Sequence, residues 1–206
     1  MYNAHDNEDD VKLEPRPEFD EIQKVSFKSY HPFTNDLFDD KSIINLFQYF
    51  FKLFNTHYEP VYIVNMLRQY FIDNKINPSN TFKQLIHHKD QIYFSSMIGY
   101  FYQFRIGTDI SYRFAIKFYS RSNLQVKKSL SNSNLFSELI ENNWIIGKIS
   151  LAYLYFYGIG VKKDIDKAFL LYNEVAKNNY GLGQYFVGKC FEEGYGVEKN
   201  NKKAFE

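Results

Sequence analysis

The sequence predicts an all-α fold, an α-solenoid of antiparallel helix pairs, and three observations carry that expectation. Beyond residue 41, apolar residues recur at three- and four-residue spacing, which gathers them on one face of a helix. No comparable run alternates with period two, as a half-buried strand would. A turn built on two glycines recurs: Gly158, Gly160, Val161, Lys163 and Asp164 are followed, each 36 residues later (194 − 158 = 36), by Gly194, Gly196, Val197, Lys199 and Asn200.

The first copy, YGIGVKKD at 157–164, could be mistaken for a phosphate-cradling loop. It lacks the third glycine or the Gly-Lys-Ser/Thr ending that would converge on an anion. A nucleotide site is built once per domain, whereas a turn recurring at fixed spacing is the joint of a repeat architecture. We therefore read the doublet as structural.

Taken in order, residues 1–40 carry scattered acids, three prolines (Pro15, Pro17, Pro32) and little periodicity, and they read as a disordered lead-in. Residues 41–90 form an N-terminal helical region. Ile43, Phe47, Phe50 and Phe54 make one stripe; Pro60 opens a second helix with Val64, Leu67 and Phe71; Asn77-Pro78 opens a third before Phe82, Leu85 and Ile86.

Residues 91–206 are the repeats. In the clear unit, 143–178, a first helix runs from about Leu135 or Asn143 to Tyr157 and ends at Gly158 in left-handed conformation. The second helix begins at Asp164, a capping residue, and carries Ala168, Leu171, Tyr172 and Ala176. In the truncated unit, 179–206, Asn200 supplies the cap and Ala204 matches Ala168. Gly147 with Gly183, and Ala152 with Gly188, keep the same offset, so small residues mark close helix approach. A degenerate unit, 91–120, matches at an offset of 53 (160 − 107), with the difference in a Ser/Asn-rich loop around 123–134. There Arg105 stands where Gly158 would be, and a turn of different conformation is expected, because an arginine at positive φ is strained. Ser111 keeps the cap.

Composition narrows the function classes. A net charge of +1 gives no field that would by itself draw nucleic acid or an anionic membrane. Aromatic residues at 19% provide a large core. The one cysteine, Cys190, excludes an internal disulfide and a multi-cysteine zinc site, and its alignment with Leu154 and Phe101 predicts a buried thiol. The acidic N-terminus has no apolar signal region, and the stretch from Ser42 meets Lys52 before a membrane span is complete, so a cytoplasmic protein is expected. His87 and His88 point apart on a helix and signal no third metal ligand. Lysines at 127, 128, 162, 163, 199, 202 and 203 read as a solvated face. No cofactor is called for.

One contrast along the first helices suggests a site. Where the third unit carries Lys189, Glu192 and Glu193, the second carries Tyr153, Phe156 and Tyr157 and the first Tyr100, Gln103 and Phe104. Tyr100, Phe104, Tyr153, Phe156 and Tyr157 are therefore either a partner-binding patch or the seat of the 41–90 helices.

The order LAYLYFYGIGVKKDIDKAFLLYNEVA, with its partner GQYFVGKCFEEGYGVEKNNKKAF, resembles the Sel-1-like repeat family, relatives of the tetratricopeptide repeat. Leu171 stands where tryptophan is common in that family. The resemblance implies a right-handed superhelix and a scaffold or adaptor that binds another protein or peptide rather than an enzyme. The 41–90 region is similar to a linker of fungal families in which a protein-kinase-like domain precedes the array. That implies a docking role beside a protein kinase or other signalling protein, although the chain has neither an HRD nor a DFG motif. Sel-1-like hydrolases carry a disulfide in each repeat, which one cysteine cannot supply. The ending KKAFE, one turn into a helix, leads us to expect a fragment of a longer array or self-association through the last unit.

Overall fold

The computed structural model describes residues 40–57, 59–122 and 134–205. Residues 1–39 and 123–133, where the lead-in and most of the Ser/Asn-rich insertion were read, and with them Lys127 and Lys128, lie outside the described residues. Those described are helical and contain no strand: α1 (Asp40–Thr56), α2 (Pro60–Asp73), α3 (Pro78–His87), a 3-10 turn (Gln91–Phe94), α4 (Ser95–Phe104), α5 (Tyr112–Arg121), α6 (Asn134–Tyr157), α7 (Ile165–Lys177), α8 (Gly181–Glu193) and α9 (Asn201–Ala204). Helices α4 to α9 alternate as three antiparallel pairs, α4/α5, α6/α7 and α8/α9, stacked side by side. This is the all-α solenoid the glycine turns predicted.

The three connections between paired helices are copies of one another. In each, a backbone N–H donates to a carbonyl five residues back: Ile106 to Phe101 at 3.0 Å, Ile159 to Leu154 at 2.9 Å, Tyr195 to Cys190 at 2.9 Å. The N-cap residue then donates its own N–H across the turn: Ser111 to Tyr102, Asp164 to Tyr155, Asn200 to Phe191. Its side chain accepts from the third residue on, Phe114, Lys167 and Lys203 in turn. Each such cap stabilises its helix by about 1 kcal/mol. Serine, aspartate and asparagine are thus interchangeable here because each places one oxygen on the same orphan N–H.

The expected difference at Arg105 is not found. Arg105 adopts φ 56° and ψ 45°, the left-handed region that Gly158 (φ 70°) and Gly194 (φ 78°) occupy at the equivalent positions. The surrounding hydrogen bonds over-determine the turn, so the arginine tolerates a conformation that costs it roughly 1–2 kcal/mol. Its side chain is exposed.

The second glycine of each turn joins one pair to the previous helix. A Cβ on Gly160 would lie 2.3 Å from the Tyr112 Cβ; on Gly196, 2.6 Å from the Ile165 carbonyl oxygen; on Gly107, 2.2 Å from the Pro78 carbonyl oxygen. Tyr112, Ile165 and Pro78 are the first residues of α5, α7 and α3. Helix α3, capped by Asn77 through Ser79 and Asn80 N–H, therefore offers its first turn to the array much as a repeat would.

The small residues inside the helices serve two contacts, where the sequence reading assigned them one. Gly99 and Gly188 allow approach within a pair, to Tyr119 and Ala115 of α5 and to Ala204 of α9. Gly147 and Gly183 instead admit the preceding pair, at Ser122 and Tyr119 and at Ala176 and Val175.

Helix α1 packs beside α2 and α6 and sets its rings against α4. Phe50 and Phe54 are buried, with ring centroids 4.9 and 6.4 Å from Tyr100. Burial of two such rings supplies about 3–6 kcal/mol, enough to hold α1 on the array. One core runs from Phe47 in α1 to Cys190 in α8.

Candidate functional site

The aromatic stripe on the first helix of the first two pairs meets two fates. Tyr100 and Phe104 are 2% and 3% exposed, beneath α1 and the start of α2, and the Tyr100 hydroxyl donates to the Pro60 carbonyl at 3.2 Å. Of the two readings the sequence left open, the burial of these two residues fits the seat of the N-terminal helices. A helix face that must bind another helix of the same chain carries the same rings as one that binds a partner, so their sequence alone held both readings.

The counterparts in the second unit keep partial exposure. Tyr153, Phe156 and Tyr157, on α6, are half-buried, and their rings form a chain: Tyr153 to Tyr157 at 4.6 Å, Tyr157 to Phe156 at 4.9 Å, Phe156 to Tyr195 at 5.1 Å. A cavity of about 30 Å³ opens between α1 and α8, lined by Phe54, His57, Tyr100, Tyr153, Leu182 and Phe186. Burial, then the neighbouring Tyr157, Tyr112 and Glu59, push the Tyr153 hydroxyl pKa upward, so it remains a protonated hydroxyl. The Tyr153 hydroxyl is buried, and the rings of Tyr153, Phe156 and Tyr157 keep partial exposure.

The glycine turns engage their own donors. Ile159 and Asp164 N–H groups bond within the turn, and the start of α7 already receives the Asp164 carboxylate at 2.9 Å. A phosphate would have to displace that carboxylate. On the outer side, Lys167 covers the Tyr155 ring at 4.1 Å and donates to its hydroxyl at 2.8 Å; Lys203 covers Phe191 at 5.4 Å; in the first pair Phe114 takes the same place over Tyr102. Ala168 is fully buried and Ala204 partly so at the matching positions of α7 and α9.

Cys190 is buried, and burial pushes its thiol up to about 12, far from a nucleophile's range. His87 Nδ1 lies 2.7 Å from the Lys83 carbonyl, while His88 bridges Asp40 and the Asp90 N–H. Among the described residues no three His, Cys, Asp or Glu side chains gather as metal ligands. Lys162, Lys163, Lys199, Lys202 and Lys203 are exposed. No helix among the described residues is long and apolar enough to cross a membrane.

Sequence reasoning missed a polar seam. Asn143 accepts from Ser96 N–H at 2.8 Å and donates to the Ile92 carbonyl at 2.9 Å; Tyr119 donates to Gln103 at 2.6 Å. Lys148, 7% exposed, pairs with Glu174 across α6 and α7. Each is a long-range pairing that local pattern does not encode. The seam fixes the register of the stack at α4, α5 and α6, and so fixes where Tyr153 and Tyr157 emerge.

Compared with known proteins, the chain matches the Sel1 repeat at residues 96–125, 148–180 and 181–206. It is also similar in fold to a solved Sel1 repeat protein from Oxalobacter formigenes, with a TM-score of 0.52, 18% identity and coverage of 82% of this chain and 71% of that one. No curated protein gives a significant match.

Proposed function

We propose that this chain, which belongs to the Sel1 repeat family through its three matched units, is a non-catalytic scaffold that holds another protein on Tyr153, Phe156 and Tyr157. Sel1 repeats are generally protein-interaction modules. One observation carries the choice of surface. Tyr100 and Phe104 are buried beneath α1 and α2, whereas Tyr153, Phe156 and Tyr157 keep partial exposure, with Tyr153 lining an apolar cavity. Rings of this kind concentrate binding energy at interfaces.

The test compares the full chain with the double variant Tyr153→Glu and Tyr157→Glu, in affinity capture and in thermal melting. Lost capture with melting held supports the scaffold reading. A fall of many degrees in Tm, with capture retained by the folded fraction, would show that these rings serve only the fold.

A further inference from the structure

The repeat extends upstream of the residues that match the family. Between α2 and α3, Lys75 is left-handed at φ 54°, and the next residue, Ile76, donates its N–H to the Phe71 carbonyl five residues back, at 2.9 Å. Arg105, Ile106 and Phe101 stand in that same relation 30 residues on (106 − 76 = 30). The equivalent rings of Phe71 and Phe101 meet at 6.1 Å, which sets α2 beside α4. Asn77 then caps α3 and accepts from the third residue on, Asn80, as Ser111, Asp164 and Asn200 accept in their own turns. Four residues after the cap comes a small buried side chain, Thr81, Ala115 or Ala168; eight after it comes a large one, Leu85, Tyr119 or Tyr172. The α2–α3 turn is four residues shorter, because its cap follows Ile76 directly, whereas Ser111 lies five residues beyond Ile106. The segment it lacks is the one that carries the second glycine. This hairpin therefore keeps the joint it offers downstream, Pro78 against Gly107.

With α2 and α3 counted as a hairpin, α1 stands outside the array. The same register shows what it lies on. Tyr70, Tyr100 and Tyr153 are equivalent, at offsets of 30 and 53 residues. Tyr49 of α1 stacks on Tyr70 at 4.8 Å, Phe50 meets Tyr100 at 4.9 Å, and Phe54 meets Tyr100 at 6.4 Å and lines the small cavity together with Tyr153. Helix α1 thus runs along the array, over one position repeated in three successive first helices. Its buried residues, Ile43, Leu46, Phe47, Phe50, Leu53 and Phe54, form a single helical stripe, while Asn45 and Lys52 on the other side are exposed. Asp40, its first residue, meets His88 just beyond α3 at 3.1 Å, and at its far end only residues 57–59 join it to the first hairpin.

An apolar helical stripe laid on a face of repeated positions is the way a helical peptide sits in a groove. We infer that residues 60–87 are a further hairpin of the array, and that α1 is a helical ligand tethered in the groove of Tyr70, Tyr100 and Tyr153. The groove takes an amphipathic helix with aromatic side chains on successive turns, and the chain supplies its own. Each hairpin is closed by its own turn and cap, so the hairpins stay folded when α1 leaves. The short tether holds α1 at an effective concentration on the order of millimolar, which keeps free helices of the same kind out. This goes beyond the scaffold reading and uses neither Phe156 nor Tyr157.

The test inserts a protease recognition site into the link at 57–59 of the full chain, which is then cut without loss of any residue. A labelled peptide of the α1 sequence, DKSIINLFQYFFKLFNT, is titrated against cut and uncut chain by fluorescence anisotropy, at equilibrium. Saturable exchange into the cut chain is expected, with uncut chain binding at least about tenfold more weakly. Phe50→Ala and Phe54→Ala in the peptide should weaken binding about a hundredfold or more, and Asn45→Ala with Lys52→Ala less than about twofold. In a cut chain that itself carries Phe50→Ala and Phe54→Ala, the α1 piece should come off on gel filtration. The larger piece should then keep its helical circular dichroism, with α2 and α3 as protected from hydrogen exchange as α4 and α5. No saturable exchange, equal binding to uncut chain, or loss of helix from the larger piece would overturn the inference. So would α2 and α3 losing protection while α4 to α8 keep theirs, which would make them one body with α1. None of these outcomes bears on capture through Tyr153 and Tyr157, so the scaffold reading stands or falls by its own test.

Discussion

Gly160 sits against Tyr112 so closely that an added methyl would fall 2.3 Å from the tyrosine Cβ, and its φ of 68° is itself one that side chains avoid. Gly194, the first glycine of the next turn's doublet, meets nothing nearer than 3.5 Å.

The two glycines should therefore respond differently to substitution. Gly160→Ala should destabilise by about 2–4 kcal/mol, from left-handed strain and overpacking together. Gly194→Ala should lose only the strain, about 1–2 kcal/mol. Urea denaturation of the two variants checks the order; equal losses would mean that contact with the preceding helix contributes nothing.

Arg105 holds the strained member of the same conformation. Arg105→Gly should raise stability by up to about 1 kcal/mol, the relief of strain outweighing the freedom glycine adds to the unfolded chain. A lowered Tm would show that the exposed guanidinium makes a contact worth more than the strain.

Tyr100 separates the seat from the partly exposed rings. Tyr100→Phe gives up one hydrogen bond to Pro60 and should cost about 0.5–1.5 kcal/mol, whereas Tyr100→Ala opens the core and should cost about 3–5 kcal/mol. Tyr157→Ala, on a half-buried ring, should cost less than either Tyr100→Ala or its equivalent at Phe104. Chemical denaturation ranks the three.

Cys190 should report global unfolding. Its pKa rises from the usual 9.0 to about 12 through burial, so the native thiol should resist alkylation at pH 8 and react once denatured. The folded state then keeps a proton that the unfolded state releases above pH 9. Stability from this group is fully present below pH 9 and declines as pH rises toward 12. Cys190→Ala should flatten that part of the stability profile; an unchanged slope would assign it to the buried tyrosines.

The turns were legible in the sequence because their requirements are local. A glycine at positive φ, a capping oxygen and a small residue each leave a mark at one position, and Gly158, Asp164 and Ala168 are found where the spacing put them. Arg105 was misread for the complementary reason: residue preference describes an isolated backbone, and the paired hydrogen bonds around the turn outweigh it. What covers a helix face is non-local, so local pattern does not show that Tyr100 is buried beneath α1 while Tyr157 keeps partial exposure. The Lys148–Glu174 pair and the Asn143 bridge join residues 26 and up to 51 apart, beyond the reach of any local pattern.

Gly107, Gly160 and Gly196 meet a carbonyl oxygen or a Cβ, atoms carried by nearly every amino acid. A neighbouring unit thus needs no matched side chain at that joint to receive the next one. Arrays made this way can lengthen by gene duplication, since a freshly copied hairpin finds its foothold at once, and sequence drift elsewhere is left free to specialise each copy.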